Sequence, residues 1–351
     1  MYRHLPLQLL LGLSVVLAAC GEDTPTQPST APDPGHTTPS LAITSNSWSP
    51  IAPMPCCHGF GVSVGVVPNS AGQSIAYVFG GTDDMGRTGV STRAYNVATN
   101  TWSTKSSQAY VFHSNGVGNI GGKLYFTGGY DEYGSPISIA STWEYDPATD
   151  VLTQKADLPL HTAEGVTGVI GDRLYVLPGY CYAIGLVSPG FCNQEEAIRK
   201  LFRYNPATNI WVTKASAPHY HRNGVGGVID NKFYVVGGQD DRRNTTRNLD
   251  VYDPATNTWQ TLAPLPTALD GVVGAVLQGQ LFVIGTTSGG SIRHYAYNPT
   301  SNRWNAKAPP PVWGFTSEAA KVFLNGTSRM LVVAGPVGDG FFPDASQLYT
   351  P

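Results

Sequence analysis

Tyr252-Asp-Pro-Ala-Thr-Asn-Thr-Trp259 decides the fold, because it is one of five copies. The others are Tyr95-Asn-Val-Ala-Thr-Asn-Thr-Trp102, Tyr145-Asp-Pro-Ala-Thr-Asp-Val-Leu152, Tyr204-Asn-Pro-Ala-Thr-Asn-Ile-Trp211 and Tyr297-Asn-Pro-Thr-Ser-Asn-Arg-Trp304, with Leu152 alone replacing the tryptophan. Upstream of each lies an apolar strand ending in small residues: Tyr77-Val-Phe-Gly-Gly81, Tyr125-Phe-Thr-Gly-Gly129, Tyr175-Val-Leu-Pro-Gly179, Tyr234-Val-Val-Gly-Gly238 and Phe282-Val-Ile-Gly285. A sixth such strand, Leu331-Val-Val-Ala-Gly335, has no complete turn after it, while Trp48 stands near the start with no repeat before it. Counting Trp48 and Leu152, the repeat marks fall at 48, 102, 152, 211, 259 and 304, a period near 50. A fixed period of that size means one supersecondary unit used repeatedly.

The double glycine, the tyrosine and the tryptophan, in that order, resemble the kelch repeat. The resemblance covers residues 46–351 and implies an all-β, six-bladed kelch-type β-propeller with four antiparallel strands per blade. In blade four these are expected at 225–229, 232–236, 248–252 and 258–262. Residues 316–323, 330–334 and 346–349 supply only three strands of the last blade. The strand around Trp48 is therefore expected to complete it, removing an exposed sheet edge. Asx-Pro-Ala-Thr-Asn provides turn chemistry between third and fourth strands.

Composition agrees with many short strands: 40 glycines and 27 prolines among 351 residues, with 13 % charged residues against about 25 % in ordinary soluble domains. A net charge of -3 provides no basic stripe for neutralising phosphates, so no nucleic-acid partner is expected. Residues 1–19 read as a lipoprotein signal peptide: a short positive start, an apolar run from Leu5 to Leu17 and small residues before Cys20. The run is too short to span a bilayer as a helix. Leu17-Ala18-Ala19-Cys20 resembles the bacterial lipobox, which implies lipidation at Cys20. By the same resemblance Gly21 implies an outer-membrane destination, with the membrane reached through the anchor only. Residues 20–45 hold the lipidated cysteine and a Pro/Thr/Ser-rich tether that cannot offset chain entropy by burial.

In such a blade, connections 1–2 and 3–4 emerge on one side and are uniformly tight. Connections 2–3 and 4–1 emerge on the other and are long and varied, so the site is expected there. The 4–1 segments carry Cys56-Cys57-His58-Gly-Phe60, His113-Ser-Asn115, His161-Thr-Ala-Glu164, His219-Tyr220-His221-Arg222-Asn223, Leu269-Asp270 and Trp313-Gly-Phe315. The candidate ligand-binding residues are His58, Phe60, His113, Asn115, His161, Glu164, Tyr220, His221, Arg222, Asn223, Asp270 and Trp313. Two explanations stand side by side: a ligand-binding funnel mouth, or polar loop ends that cap strands and hold water. Histidines suit copper or zinc, with His113 and His221 as the metal candidates, but no spacing is diagnostic and no cofactor is expected.

Blade three carries an insertion containing Cys181 and Cys192. In an exported protein four cysteines allow three pairings; Cys181 with Cys192 is expected, and Cys56 and Cys57 are left open between a vicinal bridge, bridges to the insertion and free thiols. The chain resembles galactose oxidase in its Tyr220-His221 pair, which implies a copper enzyme, but no C-terminal domain to supply a further histidine is expected. It also resembles the exported sialic-acid mutarotases in blade number, export and length. That implies an epimerase with Glu164 or His161 as acid and base and Arg222 holding a carboxylate. The reading preferred here is a non-enzymatic, membrane-tethered binding module for a protein or a glycan, with aromatics and arginine as anchors.

Overall fold

The computed structural model describes residues 45–55, 61–80, 91–108, 114–131, 137–181, 197–313, 318–333 and 346–351. Six four-stranded antiparallel sheets follow one another along the chain. Blade one comprises Val62–Pro68, Ser74–Gly80, Ser91–Asn96 and Thr101–Gln108; blade two comprises Val117–Ile120, Lys123–Thr127, Thr142–Asp146 and Val151–Lys155. Blade three is Val166–Ile170, Arg173–Leu177, Lys200–Asn205 and Ile210–Ser216. Blade four is Val225–Ile229, Lys232–Val236, Leu249–Asp253 and Thr258–Thr261, within one residue of the strands expected for it. Blade five is Asp270–Leu277, Gln280–Thr286, Ile292–Asn298 and Arg303–Ala306.

Blade six takes Glu318–Leu324, Thr327–Val333 and Gln347–Thr350 from the C-terminal end and Ser47–Pro50 from the N-terminal end. The closing pair is antiparallel, with Ser47 opposite Thr350 and Trp48 opposite Tyr349. The ring is thus a six-bladed β-propeller whose last blade is closed by the N-terminal strand.

The repeated octapeptide explains how neighbouring blades hold each other. Its tyrosine is fully buried in every blade, at 95, 145, 204, 252, 297 and 349. Its asparagine sits in the left-handed region, as at Asn257 (φ 56°), which asparagine tolerates better than most residues. There the Asn257 side-chain oxygen accepts from Tyr252 of its own blade at 2.8 Å and from the Ala215 backbone N–H of the preceding blade at 3.1 Å. The Trp259 indole then donates back to the Ala215 carbonyl at 2.8 Å. The same clasp recurs with Asn100 and Trp102 on Ala52, Asn209 and Trp211 on Ala156, and Asn302 and Trp304 on Ala263.

At the closing blade this clasp is divided between the two ends of the chain. Tyr349 donates to Asn46 at 2.9 Å, Asn46 (φ 55°) accepts from the Ala308 N–H at 2.9 Å, and Trp48 donates to the Ala308 carbonyl at 2.8 Å. The Tyr349 and Trp48 rings lie 5.0 Å apart, as Tyr95 and Trp102 lie 4.9 Å apart. His294 packs into this seam, edge-on to Tyr349 at 4.6 Å, and donates from Nδ1 to the Ala308 carbonyl. Burial, with a smaller contribution from Lys307, drives its pKa down to about 4, even though the Ala308 bond acts the other way.

Tight turns cover one face. Asp230-Asn231, Gln278-Gly279 and Asn325-Gly326 all hold two successive positive φ values, the hairpin geometry whose twist matches the strands. Down the axis runs a channel of about 370 Å³ lined by the innermost strands of all six blades, including Val64, Asn119, Thr167, Val228, Val276 and Lys321.

Candidate functional site at the funnel mouth

On the opposite face the channel opens into a mouth of about 270 Å³. Asn115, Glu164, Asn223 and Asp270 take the same place in four successive blades, each ending a 4–1 connection and each followed by Gly-Val. Glu164 and Asn223 adopt left-handed backbone (φ 58° and 51°), which turns the chain into the innermost strand. Glycine is required next to this turn: a Cβ on Gly179 would collide with the Glu164 carbonyl. That close approach lets Ala163 and Tyr180 exchange two backbone hydrogen bonds of 2.8 Å.

The four equivalent positions meet different ends. Asn115 is fully buried, donating to the Thr127 carbonyl and accepting from the Gly165 N–H at 2.9 Å, so it ties blade two to blade three. The Asn223 N–H donates to the Glu164 carbonyl at 2.8 Å, and its side-chain amide donates to Glu164 Oε2 at 3.1 Å. Asp270 is exposed and accepts from Gln239 at 3.4 Å.

Glu164 is the hub. Its side chain is only 10 % exposed, and it accepts from Arg222 Nε at 2.6 Å, from Asn223, and from the Tyr130 hydroxyl at 3.0 Å. The Arg222 guanidinium also stacks on Tyr180 at 4.0 Å, while Arg243 reaches the Tyr180 hydroxyl at 3.2 Å. Arg222 Nη1 is buried with no hydrogen-bond partner among the described residues. Burial opposes the Arg222 charge, but the bond to Glu164 and the charge of that carboxylate outweigh it and hold the pKa up. Burial, then the Glu164 charge, pushes the Tyr130 phenol well above its usual range.

Of the candidates expected from the sequence, three line this mouth and the other described ones do not. Its described lining includes Glu164, Asn223 and Asp270, with Ser114, Gln239 and Glu318. His161 lies to one side, bonded to the Ser138 carbonyl at 2.8 Å. His221 is buried, with Nδ1 on the Gly237 carbonyl and Nε2 on Asp250; His219 bonds the same buried carboxylate at 2.9 Å. Asp250 lies below the usual carboxylate range: burial raises its pKa, but the bonds from His221, Thr261 and His219 prevail. Tyr220 carries the Arg199 guanidinium at 5.3 Å, and Trp313 packs half-buried against the core between blades five and six. Among the described residues no three His, Cys, Asp or Glu side chains are grouped to hold a metal ion.

Cys20, His58, Phe60, His113 and Cys192 lie outside the described residues, as do Cys56 and Cys57. Cys181 is disulfide-bonded, and its partner lies outside them too. Glu318 is the site residue that sequence reasoning missed. It begins the innermost strand of blade six and, among the described residues, is the one charged residue that lines both mouth and channel. It is half-buried on the channel wall, and this burial pushes its pKa up to about 7 against the opposing bond from the Ala319 N–H. In sequence it is an ordinary glutamate before Ala319-Ala320; its surroundings come from other blades.

Comparison with known proteins agrees with this architecture. The kelch motif family matches residues 222–266. Kelch-like protein terF of Aspergillus terreus is 27 % identical over 151 residues, covering 42 % of this chain and 32 % of that protein. Human Kelch-like protein 23 is 31 % identical over 121 residues, covering 34 % of this chain and 19 % of its own length. The chain thus spans a third or less of these relatives. Among solved structures, YjhT superposes with a TM-score of 0.64 at 15 % identity, covering 86 % of this chain and 95 % of that one, which bears on fold alone. The chain is thus a six-bladed β-propeller with a kelch motif at residues 222–266, and it is similar over part of its length to kelch-like proteins.

Proposed function

We propose that this propeller is a protein-interaction module, exported and held in the bacterial cell envelope through a lipid on Cys20, which presents its loop face to its partner. Kelch propellers commonly serve in protein interaction. The observation that carries the reading is the contrast between faces: one is a set of near-identical clasps, while the other gathers Tyr180, Arg222, Arg243, Gln239 and Asp270 from different blades around a cavity. Aromatic and arginine side chains on a rigid scaffold are typical anchors of protein interfaces.

The catalytic alternatives draw no support from this geometry. Both Glu164 oxygens already accept hydrogen bonds, from Tyr130 on one side and from Arg222 and Asn223 on the other. Arg222, which a mutarotase would aim at a substrate carboxylate, gives its Nε to Glu164 and stacks its guanidinium on Tyr180.

Photo-crosslinking amino acids placed at Gln239 and at Thr256 test the reading in cells. Crosslinks to a protein from position 239 and none from the turn-face position 256 are expected; the reverse pattern sinks it. If purified full-length chain instead captures a sugar on a glycan array and yields no protein crosslink, the glycan reading replaces this one. Cys20→Ser is expected to move the protein from the membrane fraction to the soluble fraction.

A further inference from the structure

We infer that the funnel mouth receives a lysine side chain from the protein partner, its ammonium seated at Asp270 and Glu318 and its methylene stem against Val62, Val272 and Val273. This rests on the protein-interaction reading above and specifies its chemistry.

Charge comes first. The charged residues lining the mouth, among those described, are Glu164, Asp270 and Glu318, all acidic. Glu164 is neutralised by Arg222, which leaves Asp270 and Glu318 without a cationic partner among the described residues. The next charged group along the channel is Lys321, on the same strand as Glu318 and deeper in. It bounds how far a cation can enter.

Hydrogen-bonding capacity points the same way. Asn223 gives one amide N–H to Glu164 and Gln239 gives one to Asp270. Each keeps one further N–H and its carbonyl oxygen. With the two carboxylates, acceptor sites at the mouth outnumber the remaining side-chain donors. A group made only of donors complements it, and an ammonium has three donors and no acceptor. Lysine fits better than arginine because its charge is compact and rides on a flexible aliphatic stem. The valine walls cover such a stem while the head reaches the carboxylates.

Glu318 makes the capture depend on pH. The groups that face it across the cavity are Glu164 and Asp270 at the mouth and Lys321 below. Its carboxyl titrates near 7, so binding strengthens as pH rises through neutrality and Glu318 ionises.

The test uses the full chain and two probes, the peptide acetyl-Gly-Lys-Gly-amide and the same peptide acetylated on the lysine ammonium, titrated by NMR at pH 8 and pH 5.5. The unmodified peptide is expected to bind saturably at pH 8 and at least tenfold more weakly at pH 5.5. Its acetylated form is expected not to bind. Asp270→Asn and Glu318→Gln should each weaken binding at pH 8 by at least tenfold, with unchanged circular dichroism. Asp270 is exposed, so its variant carries the test if Glu318→Gln fails to fold. Absence of saturable binding at pH 8, equal binding of the acetylated peptide, or unchanged affinity in Asp270→Asn overturns the inference. Should protein crosslinks from position 239 persist in any of those cases, only the lysine is wrong and the interaction module stands.

Discussion

The two faces of the ring are built from the same repeats and have opposite character. On the turn face, the Tyr–Asn–Trp clasp is repeated with bond lengths that agree within a few tenths of an ångström. On the loop face, four equivalent positions hold Asn, Glu, Asn and Asp, and each has a different set of partners. What every blade needs in order to meet its neighbour stays uniform; what only one direction of approach needs is free to vary. Regularity therefore marks structure, and departure from it marks the surface proposed to meet a partner.

The strongest way to break that comparison is to remove one clasp entirely. A chain lacking residues 46–52 loses Asn46, Trp48 and the four-residue pairing with Gln347–Thr350. It is expected to lose cooperative thermal unfolding; an unchanged Tm would show that the ring does not depend on its seam.

Acid should strain the same seam. His294 has its pKa depressed in the fold, so the stability it contributes is present above about pH 6.5 and is lost as pH falls toward 4. A shift of that size corresponds to about 3 kcal/mol. His294→Phe is expected to flatten the stability profile over this window, measured by urea unfolding. Glu318 has the opposite sign: its raised pKa makes the fold lose stability as pH rises from about 4.5 through 7, so Glu318→Gln should gain relative stability at pH 8.

Asn257→Ala removes one clasp without touching the seam. It strands the buried Tyr252 hydroxyl and the Ala215 N–H and is expected to cost about 2 kcal/mol. Asn257→Gly should separate the backbone part, because glycine relieves the left-handed strain but restores neither bond. The smallest effect should come from completing the pattern. Asp150 takes the asparagine's place and holds Ser106 through both its N–H and its hydroxyl, but Leu152 has no indole to return a bond. Leu152→Trp is expected to add about 0.5–1 kcal/mol; a loss would mean that blade two is packed around leucine.

Strands and closure were legible because period, turn chemistry and apolar runs are local in the chain. The clasp itself was not: nothing in Tyr252-Asp-Pro-Ala-Thr-Asn-Thr-Trp259 says that its asparagine reaches a backbone N–H some forty residues earlier. Asn46 was invisible for a sharper reason, since its tyrosine lies 303 positions away. The mouth was legible as a set of loop ends, and Glu164, Asn223 and Asp270 do line it. His221 illustrates the remaining gap: a histidine beside a tyrosine and an arginine suggests a ligand, but its two ring nitrogens are occupied by Gly237 and Asp250.

The division of one clasp between the two ends of the chain also sets a timetable. Ser47–Pro50 is synthesised long before Gln347–Thr350, the strand it pairs with. At the usual 5–20 residues per second, about 15–60 s separate them. Through that interval blades one to five can form in order, each closing its clasp on the one before, while the earliest strand has nothing to pair with. Closure of the ring is then the last event, and it carries the longest loop in the molecule.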